Sequence, residues 1–345
     1  MKVLVAGELN PDLVLRDCRI FPEPGKEVWA KDLDLTLGGS SAICAAGLAR
    51  LGTTVSFAAV VGCDFYGEFC IDAMRRAGVD VSRVQRRADL KTGITVSITS
   101  PQDRALVTYA GAIAALRSED LPDAMFAGHD HFHVAAWYLQ DDLRPGLKDR
   151  FAAARRAGLT TSLDPGYDPS EQWSQVLLDV LNEVDVFFPN EVEIRGITGC
   201  RDIEEGIRKL SNRRTLVVAK LGSQGCAAWH RERWIRVPAF PIQVVDTTGA
   251  GDSFTAGFLH SWVAGEPLED CLRLASACGA LSTRGLGGTA AQPDKEEARR
   301  FLDAHHVGGT GAHDTGERCA VVSQGPHVVS EYAYCLLHSD HHAKR

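Results

Sequence analysis

Residues 246–262, DTTGAGDSFTAGFLHSW, combine the residue types that anion chemistry needs. Gly249, Ala250 and Gly251 carry almost no side chain and stand where an apolar helix begins, so a ligand can approach their unpaired backbone N–H groups and the positive end of the helix dipole. An anion is the natural guest there, and the Asp252 carboxylate beside it suits a proton-accepting base. The alternative is a tight strand-to-helix turn that Asp252 merely caps. The apolar residues at helical spacing are Phe254, Phe258, Leu259 and Trp262.

This segment resembles the C-terminal signature of the ribokinase-like (PfkB-type) carbohydrate kinase family at every fixed position. The resemblance implies that Asp252 takes the proton from a substrate hydroxyl. It also implies that the amides of Gly249, Ala250 and Gly251 form the anion hole for the transferring phosphoryl group. The implied fold is α/β, a three-layer doubly wound and mostly parallel sheet with a small β-sheet lid.

Composition limits the classes of protein that the chain can belong to. Its 345 residues are 45% hydrophobic, and a net charge of −8 offers no basic footprint for nucleic acid. The amino-terminal residues lack the apolar stretch of a signal peptide, and no run reaches the length of a membrane span. The ten cysteines form no C-x-x-C pair, and the pairs Cys63/Cys70 and Cys271/Cys278 fall on predicted helix faces, which indicates buried, reduced thiols. We therefore expect a cytoplasmic protein without nucleic-acid or membrane partners.

Two polar residues follow the first predicted strand. The apolar run of residues 3–6 ends at Gly7, and Asn10 and Asp12 come next, at the strand end where open α/β sheets bind ligands. Short polar side chains there can hold hydroxyl groups, and in the family an Asn and an Asp at this point bind the sugar. The alternative is an Asn-Pro turn followed by a solvated acid.

Residues 37–52, LGGSSAICAAGLARLG, predict a buried helix that follows a glycine pair. They resemble the N-terminal signature of the family, in which the glycines, here Gly38 and Gly39, contact the sugar. Close helix packing is the alternative reason for these glycines. Ile43 stands where many members carry a substrate-binding asparagine, so we expect an apolar wall and a preference for a deoxy or bulkier sugar over ribose.

The lid is expected within residues 12–36 and 91–110. Both stretches alternate apolar and polar residues, and the second contains a predicted hairpin. This pattern suggests a small antiparallel sheet lying apart from the main one. A lid excludes water, which otherwise competes as phosphoryl acceptor. A homodimer through the lid is a further expectation.

Strands alternate with helices from residue 144 to residue 220, including a helix over 171–183, which predicts a parallel sheet covered on both faces. Asn190 and Glu193 follow one of these strands with the spacing N-x-x-E. They resemble the magnesium-and-phosphate motif of the family, which acts largely through water, and Mg²⁺ keeps several waters. The alternative for Glu193 is an ordinary solvated helix acid.

A glycine-containing turn follows the next strand and resembles the nucleotide loop of the family. The sequence has neither a P-loop nor a dinucleotide G-x-G-x-x-G motif, so the phosphate site falls to the Gly-Ala-Gly turn. Residues 281–293 would close the adenine side, and a monovalent cation (K⁺) near Asp246 and residues 284–288 is left open. The predicted ATP-binding residues are Asn190, Lys220, Gly222, Ser223 and Gly225.

Two other groups of residues have side chains that can bind a metal ion or line a pocket. The histidines of residues 129–133 share one face of a predicted strand without an evident carboxylate partner, so we do not expect a metal site there. Trp137, Tyr138 and Gln140 follow that strand, and both pocket lining and core packing are open to them.

The resemblance covers residues 1–303, the predicted kinase domain, whereas residues 304–345 show no sustained period and predict a flexible tail. The sequence predicts an ATP- and Mg²⁺-dependent phosphotransferase that acts on a hydroxyl of a small sugar or sugar-derived substrate. The alternatives are a nucleoside kinase and a non-catalytic sugar- or nucleotide-binding regulator. The intact Asp252 argues against the regulator, because a binding protein needs no base.

Overall fold

The computed structural model describes residues 1–100 and 104–305, so the predicted tail lies, from residue 306 onward, outside the described residues. Along the described chain the strands are β1 (Lys2–Ala6), β2 (Asn10–Arg16), β3 (Asp32–Gly38), β4 (Thr54–Gly62), β5 (Asp80–Arg87), β6 (Ile94–Thr99), β7 (Arg104–Tyr109), β8 (His131–Val134), β9 (Thr160–Leu163), β10 (Val186–Phe187), β11 (Leu216–Lys220), β12 (Cys226–His230) and β13 (Arg233–Val237). The α-helices are α1 (Ser40–Arg50), α2 (Phe65–Arg76), α3 (Arg144–Arg156), α4 (Val176–Val180), α5 (Glu191–Thr198), α6 (Ile203–Leu210), α7 (Ala250–Val263), α8 (Leu268–Ser282) and α9 (Lys295–Ala304).

The main sheet has the strand order β13-β12-β11-β10-β9-β8-β1-β4-β5 within the described residues. Its strands pair in parallel from β11 to β5, whereas β12 pairs antiparallel with both of its neighbours, β11 and β13. Alternate residues of β1 enter opposite apolar layers: Val3 and Val5 pack with α1, α2, α7 and α8, whereas Leu4 and Ala6 pack with α3 to α6. The predicted three-layer doubly wound fold is therefore confirmed.

The second sheet has the order β3-β2-β6-β7; β6 and β7 lie within residues 91–110, whereas β2 begins before and β3 ends after the predicted stretch 12–36. The pairs β2–β3 and β6–β7 are antiparallel, but β2 and β6 run parallel, so the prediction of a purely antiparallel sheet is wrong. The reason is topological. Strands β2 and β6 follow β1 and β5, which are parallel members of the main sheet, and so leave its carboxyl edge in the same direction.

The helix predicted over residues 171–183 is wrong in its first part, because α4 begins only at Val176. The Asp168 carboxylate accepts the backbone N–H groups of Ser170 at 2.9 Å and of Trp173 at 2.7 Å. An aspartate that binds backbone donors in this way holds the chain in a turn and competes with helix formation. Glu171 and Trp173 accordingly adopt positive φ angles of 54° and 47°.

The histidines of β8 belong to a buried network. His131 Nε2 and His133 Nδ1 each lie 2.7 Å from Ser162 Oγ, and His131 Nδ1 lies 2.7 Å from Thr160 Oγ1. Burial lowers the pKa of both histidines to about 3, so they stay neutral and pack as core residues. Among residues 1–100 and 104–305, no group of three or more His, Cys, Asp or Glu residues is arranged to hold a metal ion.

The structure gives the positions of the four cysteines that were predicted on helix faces, and the lengths of the described helices. Cys70, Cys271 and Cys278 are buried on α2 and α8, but Cys63 is exposed and precedes α2, so its predicted place on a helix face is wrong. In the part of the chain that the structure describes, no helix is long and apolar enough to cross a membrane.

Candidate active site

The start of α7 is an open turn. Gly249 has φ 71°, and a Cβ on it would lie 2.6 Å from Gly288 Cα, so only glycine fits. The Ala250 N–H donates to Thr247 O at 3.2 Å, whereas the N–H groups of Gly251 and Asp252 have no acceptor within residues 1–100 and 104–305. These two amides are the donors left for an anion.

Asp252 is the third residue of α7, and Gly249 precedes the helix without any side-chain cap. The alternative in which Asp252 caps the turn is therefore wrong. Burial raises the pKa of Asp252 to about 7, the neighbouring Asp164 raises it further, and Lys220 opposes the rise. A carboxyl group with such a pKa can take up and release a proton near neutral pH.

A buried ion pair lies beneath this helix start. Lys220 Nζ is 2.6 Å from Asp164 Oδ2, and a Cβ on Gly251 would meet the ammonium at 3.5 Å. Thr255 Oγ1 on α7 also donates to Asp164 Oδ2, at 3.4 Å. Burial opposes the charge of Lys220, but Asp164 and then Glu193 raise its pKa, so the ammonium stays charged. The turn thus rests on a fixed positive charge.

Asn190 and Glu193 form a capping box at the start of α5. Asn190 Oδ1 accepts the Glu193 N–H at 3.0 Å, and Glu193 Oε2 accepts the Asn190 N–H at 2.8 Å. Glu193 is only 3% exposed, so the alternative of a solvated helix acid is wrong. Burial raises its pKa to about 7, which Lys220 lowers and Asp164 raises. The charges of Asp164, Glu193 and Asp252 thus all act on the ammonium of Lys220.

The structure brings together the four residues predicted to bind substrate. Asn10 and Gly38 pair across β2 and β3, and Asn10 Nδ2 lies 3.4 Å from Asp12 Oδ1. A Cβ on Gly38 would lie 2.0 Å from Asp12 Oδ1, and one on Gly39 would lie 2.9 Å from Asn10 Oδ1. The glycines therefore leave room for these side chains. The Asn-Pro turn alternative is wrong, because Asn10 and Asp12 belong to a strand and burial raises the pKa of Asp12 to about 7.

Sequence reasoning missed Glu8 and gave Asp164 no role. Glu8 is buried and accepts hydrogen bonds from Ser41 Oγ at 2.7 Å, Ser41 N at 3.1 Å and Gln140 Nε2 at 3.1 Å. It thereby ties the start of α1 to the segment after β8. Both acids stand just past a strand of the main sheet, at its carboxyl edge, and that position is the signal that could have found them.

A side chain of the lid contacts the turn before α7. Arg104 Nη1 on β7 donates to Thr248 Oγ1 at 2.9 Å and lies 3.9 Å from Asp246 Oδ1. The Asp246 carboxylate accepts the N–H groups of Thr248 at 2.9 Å and of Gly287 at 2.8 Å. Burial opposes the charge of Asp246, but these hydrogen bonds lower its pKa. An anionic group is thus present where the monovalent cation is predicted.

Ile43, Trp137 and Tyr138 all occupy buried positions. Ile43 packs against Gly249 and Gly288. Trp137 and Tyr138 are buried in the apolar core, which settles them as packing residues. Ile43→Asn would therefore place an amide behind the turn and damage it.

The predicted nucleotide loop connects β11 to β12. It turns at Gly222–Gln224, where the Leu221 N–H donates to Gly225 O at 2.9 Å, and Ser223 is exposed. Lys220 begins the loop, but its ammonium lies beneath α7 with Asp164. Its N–H donates to Pro189 O at 2.9 Å, which sets this loop beside Asn190.

A family model for the pfkB family carbohydrate kinases matches residues 1–295. The chain belongs to the PfkB family of carbohydrate kinases. As a PfkB-family protein it is a sugar or nucleoside kinase, an enzyme that transfers a phosphoryl group to an alcohol. The predictions of a ribokinase-like fold and of a carbohydrate kinase are confirmed, and the roles of individual residues stay predictions.

Individual relatives agree with this assignment. The chain is 35% identical over 285 residues to a fructokinase of Klebsiella pneumoniae, covering 77% of this chain and 91% of the relative. It is 30% identical over 304 residues to an ATP-dependent ribose-1-phosphate kinase of Halopiger xanaduensis, covering 88% and 98%. The structure of Arabidopsis thaliana ribokinase complexed with ribose and ATP superposes with a TM-score of 0.75 at 26% identity, covering 87% of this chain and 98% of that one.

Proposed function

We propose that this kinase transfers the γ-phosphoryl group of ATP to a hydroxyl of a small sugar or sugar-derived substrate, with Asp252 as the base. The observation that carries the proposal is a carboxyl group with a pKa of about 7 beside the free amides of a helix start. The charge of Glu8 raises the pKa of both Asp12 and Asp252. The proposed sugar-binding and phosphate-binding parts of the site are therefore close enough to share one charged neighbour.

The chain's own residues have separate tasks in the transfer. Asp12 and Asn10 hold substrate hydroxyl groups, and Asp252 takes the proton from the hydroxyl that attacks. The amides at the start of α7, above the Lys220 ammonium, stabilise the negative charge that develops on the phosphoryl oxygens. The lid, joined to the turn by Arg104, keeps water away from the phosphoryl group.

ATP and Mg²⁺ are the cofactors that these residues fit. The nucleotide would contact the loop of Gly222, Ser223 and Gly225, and Mg²⁺ would be held by Asn190 and Glu193 through water. The surplus of buried carboxyl groups over ammonium groups supports a bound cation there. Bound Mg²⁺ would neutralise charge on the phosphate oxygens. A K⁺ ion near Asp246 is part of the proposal, and faster turnover in potassium than in tetramethylammonium salts tests it.

A screen of ADP release across sugars, sugar phosphates and nucleosides tests the proposed function as a whole. We expect the highest kcat/KM with a sugar or a sugar derivative. A nucleoside kinase of Methanothermobacter thermautotrophicus, 29% identical over 284 residues, is the observation that favours the nucleoside alternative. The best turnover with a nucleoside would establish that alternative, and ADP release with none of the compounds would favour the regulator.

We expect kcat/KM to decrease as the pH is lowered below about 7. Burial and the charge of Asp164 raise the pKa of Asp252 to about 7, and a base must be deprotonated to accept a proton. Activity should therefore drop about tenfold per pH unit below this value and level off above it. Asp12 titrates in the same range, so the profile is measured in Asp12→Asn as well. Loss of the acid limb in that variant would assign the limb to Asp12 instead.

Asp12→Ala is expected to lower kcat/KM for the sugar, which corresponds to a loss of about 2 kcal/mol or more of transition-state binding free energy, while KM for ATP stays the same. The half-buried Asp12 carboxylate lies against Gly38 and Asn10, where it can accept a substrate hydroxyl. Asp17→Ala is the matched control, because Asp17 directly follows β2 and is exposed. Damage to ATP affinity in Asp12→Ala would place Asp12 outside the sugar site.

We propose that two copies of the chain meet through the lid. Leu106, Val107 and Tyr109 of edge strand β7 and Leu33 of β3 are each more than half exposed, and exposed apolar patches of this kind mark contact surfaces. Val107→Asp is expected to shift the protein from dimer to monomer in sedimentation analysis, because it places a charge in the contact. A monomeric wild type, or a variant that remains a dimer, would contradict this interface.

A further inference from the structure

A cavity of about 580 Å³ opens between the end of α1, the loop after α8 and helix α9. Six of its ten lining residues lie within residues 281–293, the segment predicted to close the adenine side, and the other four lie on α1 and α9. Its volume falls within the range of small-molecule binding sites. Its charged lining residues are Arg50, Arg284, Arg300 and Glu297.

The arginines of this cavity make few side-chain contacts within the described residues. Within residues 1–100 and 104–305, neither Arg50 nor Arg284 has a side-chain hydrogen bond or ion pair, and Arg300 only donates to Glu296 O at 3.4 Å. Glu297 accepts the Asp294 N–H at 2.9 Å in the capping box of α9. The three exposed guanidinium groups leave most of their N–H donors available to a phosphate group, which arginine binds with two parallel hydrogen bonds.

Gln292 supplies a second, independent feature of the cavity. It lines the cavity and is 1% exposed, and its Nε2 donates to Ile43 O at 2.9 Å and to Ser253 Oγ at 3.0 Å. Its Oε1 is buried and has no hydrogen-bond partner within the described residues. A buried carbonyl oxygen without a donor is costly, and a ligand with a hydroxyl or N–H group can satisfy it. Pro293 and Phe301 add apolar wall.

We propose that this cavity binds a phosphorylated small organic molecule and that Gln292 connects its occupancy to the phosphate turn. The arginines recognise the phosphate, and Gln292 Oε1 accepts a donor of the organic part. Ser253 follows Asp252 directly, and Ile43 packs against Gly249. Both acceptors of the Gln292 Nε2 hydrogen bonds therefore belong to residues that contact the proposed catalytic turn. A ligand that reorients Gln292 therefore acts on the position of Asp252, which is a coupling between two sites.

Isothermal titration of the full-length chain tests the binding step. The probes are inorganic phosphate, fructose 6-phosphate and AMP, each in the presence of saturating magnesium and a non-hydrolysable ATP analogue that occupies the nucleotide site. We expect AMP or fructose 6-phosphate to bind at least about tenfold more tightly than inorganic phosphate, because the organic part adds contacts. Arg50→Gln/Arg300→Gln should raise the Kd of that probe by at least about tenfold. Arg299→Gln should leave it unchanged, since Arg299 neighbours Arg300 but pairs with Asp303 at 3.4 Å.

The coupling is tested by hydrogen–deuterium exchange of peptides that cover residues 246–262. The bound probe should change exchange at the start of α7 in the wild type. It should do so much less in Gln292→Met at a probe concentration that saturates this variant, which keeps the arginines but has lost both Oε1 and the Nε2 donor. The proposal is overturned if no organic probe binds at millimolar concentration, if Arg50→Gln/Arg300→Gln binds as the wild type does, or if Gln292→Met transmits the full effect. Neither readout needs turnover, so failure of the kinase proposal would leave these results interpretable.

Discussion

Asp252→Asn is expected to lower kcat by a factor on the order of 10²–10⁴ while leaving the fold and nucleotide binding in place. Asparagine has the shape of aspartate but cannot accept the proton of the attacking hydroxyl. The carboxyl group sits beside the free amides that would hold the phosphoryl group, so its loss acts on the transition state rather than on substrate binding. Steady-state kinetics with the best sugar, together with titration of ATP, measure both quantities.

Asp270→Asn is the matched control for this variant. Asp270 is also the third residue of its helix, α8, but it is exposed and remote from the ion pair beneath α7. Its replacement should leave kcat unchanged. Turnover close to the wild-type rate in Asp252→Asn would remove Asp252 from the mechanism, and a drop of similar size in Asp270→Asn would point to a general effect of charge.

Lys220→Met is expected to lower the free energy of unfolding by about 3–5 kcal/mol at pH 8, because it removes one partner of a buried ion pair. The Lys220 side chain is 14% exposed and that of Asp164 is 5% exposed, so water cannot replace the lost ammonium. Glu193 and Asp252 also lose the charge that opposes their raised pKa values. Urea unfolding measures the change. The loss should be smaller at pH 5, where these carboxyl groups bind protons and less negative charge is left unpaired.

Two further variants isolate the contribution of burial. Lys148 and Asp179 form a pair of the same 2.6 Å length whose side chains are 41% and 62% exposed, and Lys148→Met should cost much less than Lys220→Met, because water screens an exposed pair. Lys220→Met/Asp164→Asn should recover part of the loss, since it removes the stranded carboxylate. Equal losses in Lys220→Met and Lys148→Met would show that the pair beneath α7 has no special weight.

The sequence predicted the parts of the fold and the site that depend on local pattern. Buried runs such as that of β1 and the glycine-rich turn before α7 carry their signal within a few residues. The parts it missed depend on contacts between distant segments. Glu8 and Asp164 are single acids without a motif, and only the folded chain joins them to Ser41 and Lys220.

The remaining differences from the prediction also involve distant segments. Ile43 packs against Gly249 and Gly288, which lie more than two hundred residues away along the chain, and its place in a motif does not reveal this contact. The parallel pairing of β2 with β6 follows from the directions of β1 and β5, which alternation within a strand cannot reveal. The capping box at Asn190 and Glu193 was visible in the N-x-x-E spacing, but the burial of Glu193 was not.

The lid is mechanically a flap fixed along one end. All four of its strands join the body at that end: β2 and β6 begin there, and β3 and β7 finish there. Rotation about this root displaces the far end of the flap most and the root least. Asn10 and Gly38 lie at the root, so the groups proposed to hold the sugar keep their register while the flap swings. Arg104 begins β7 at the far end, where it acts as a latch on Thr248. Opening the site therefore breaks the contacts of Arg104 with Thr248 and Asp246 and leaves Asn10 and Gly38 assembled, so the sugar can bind before the flap closes.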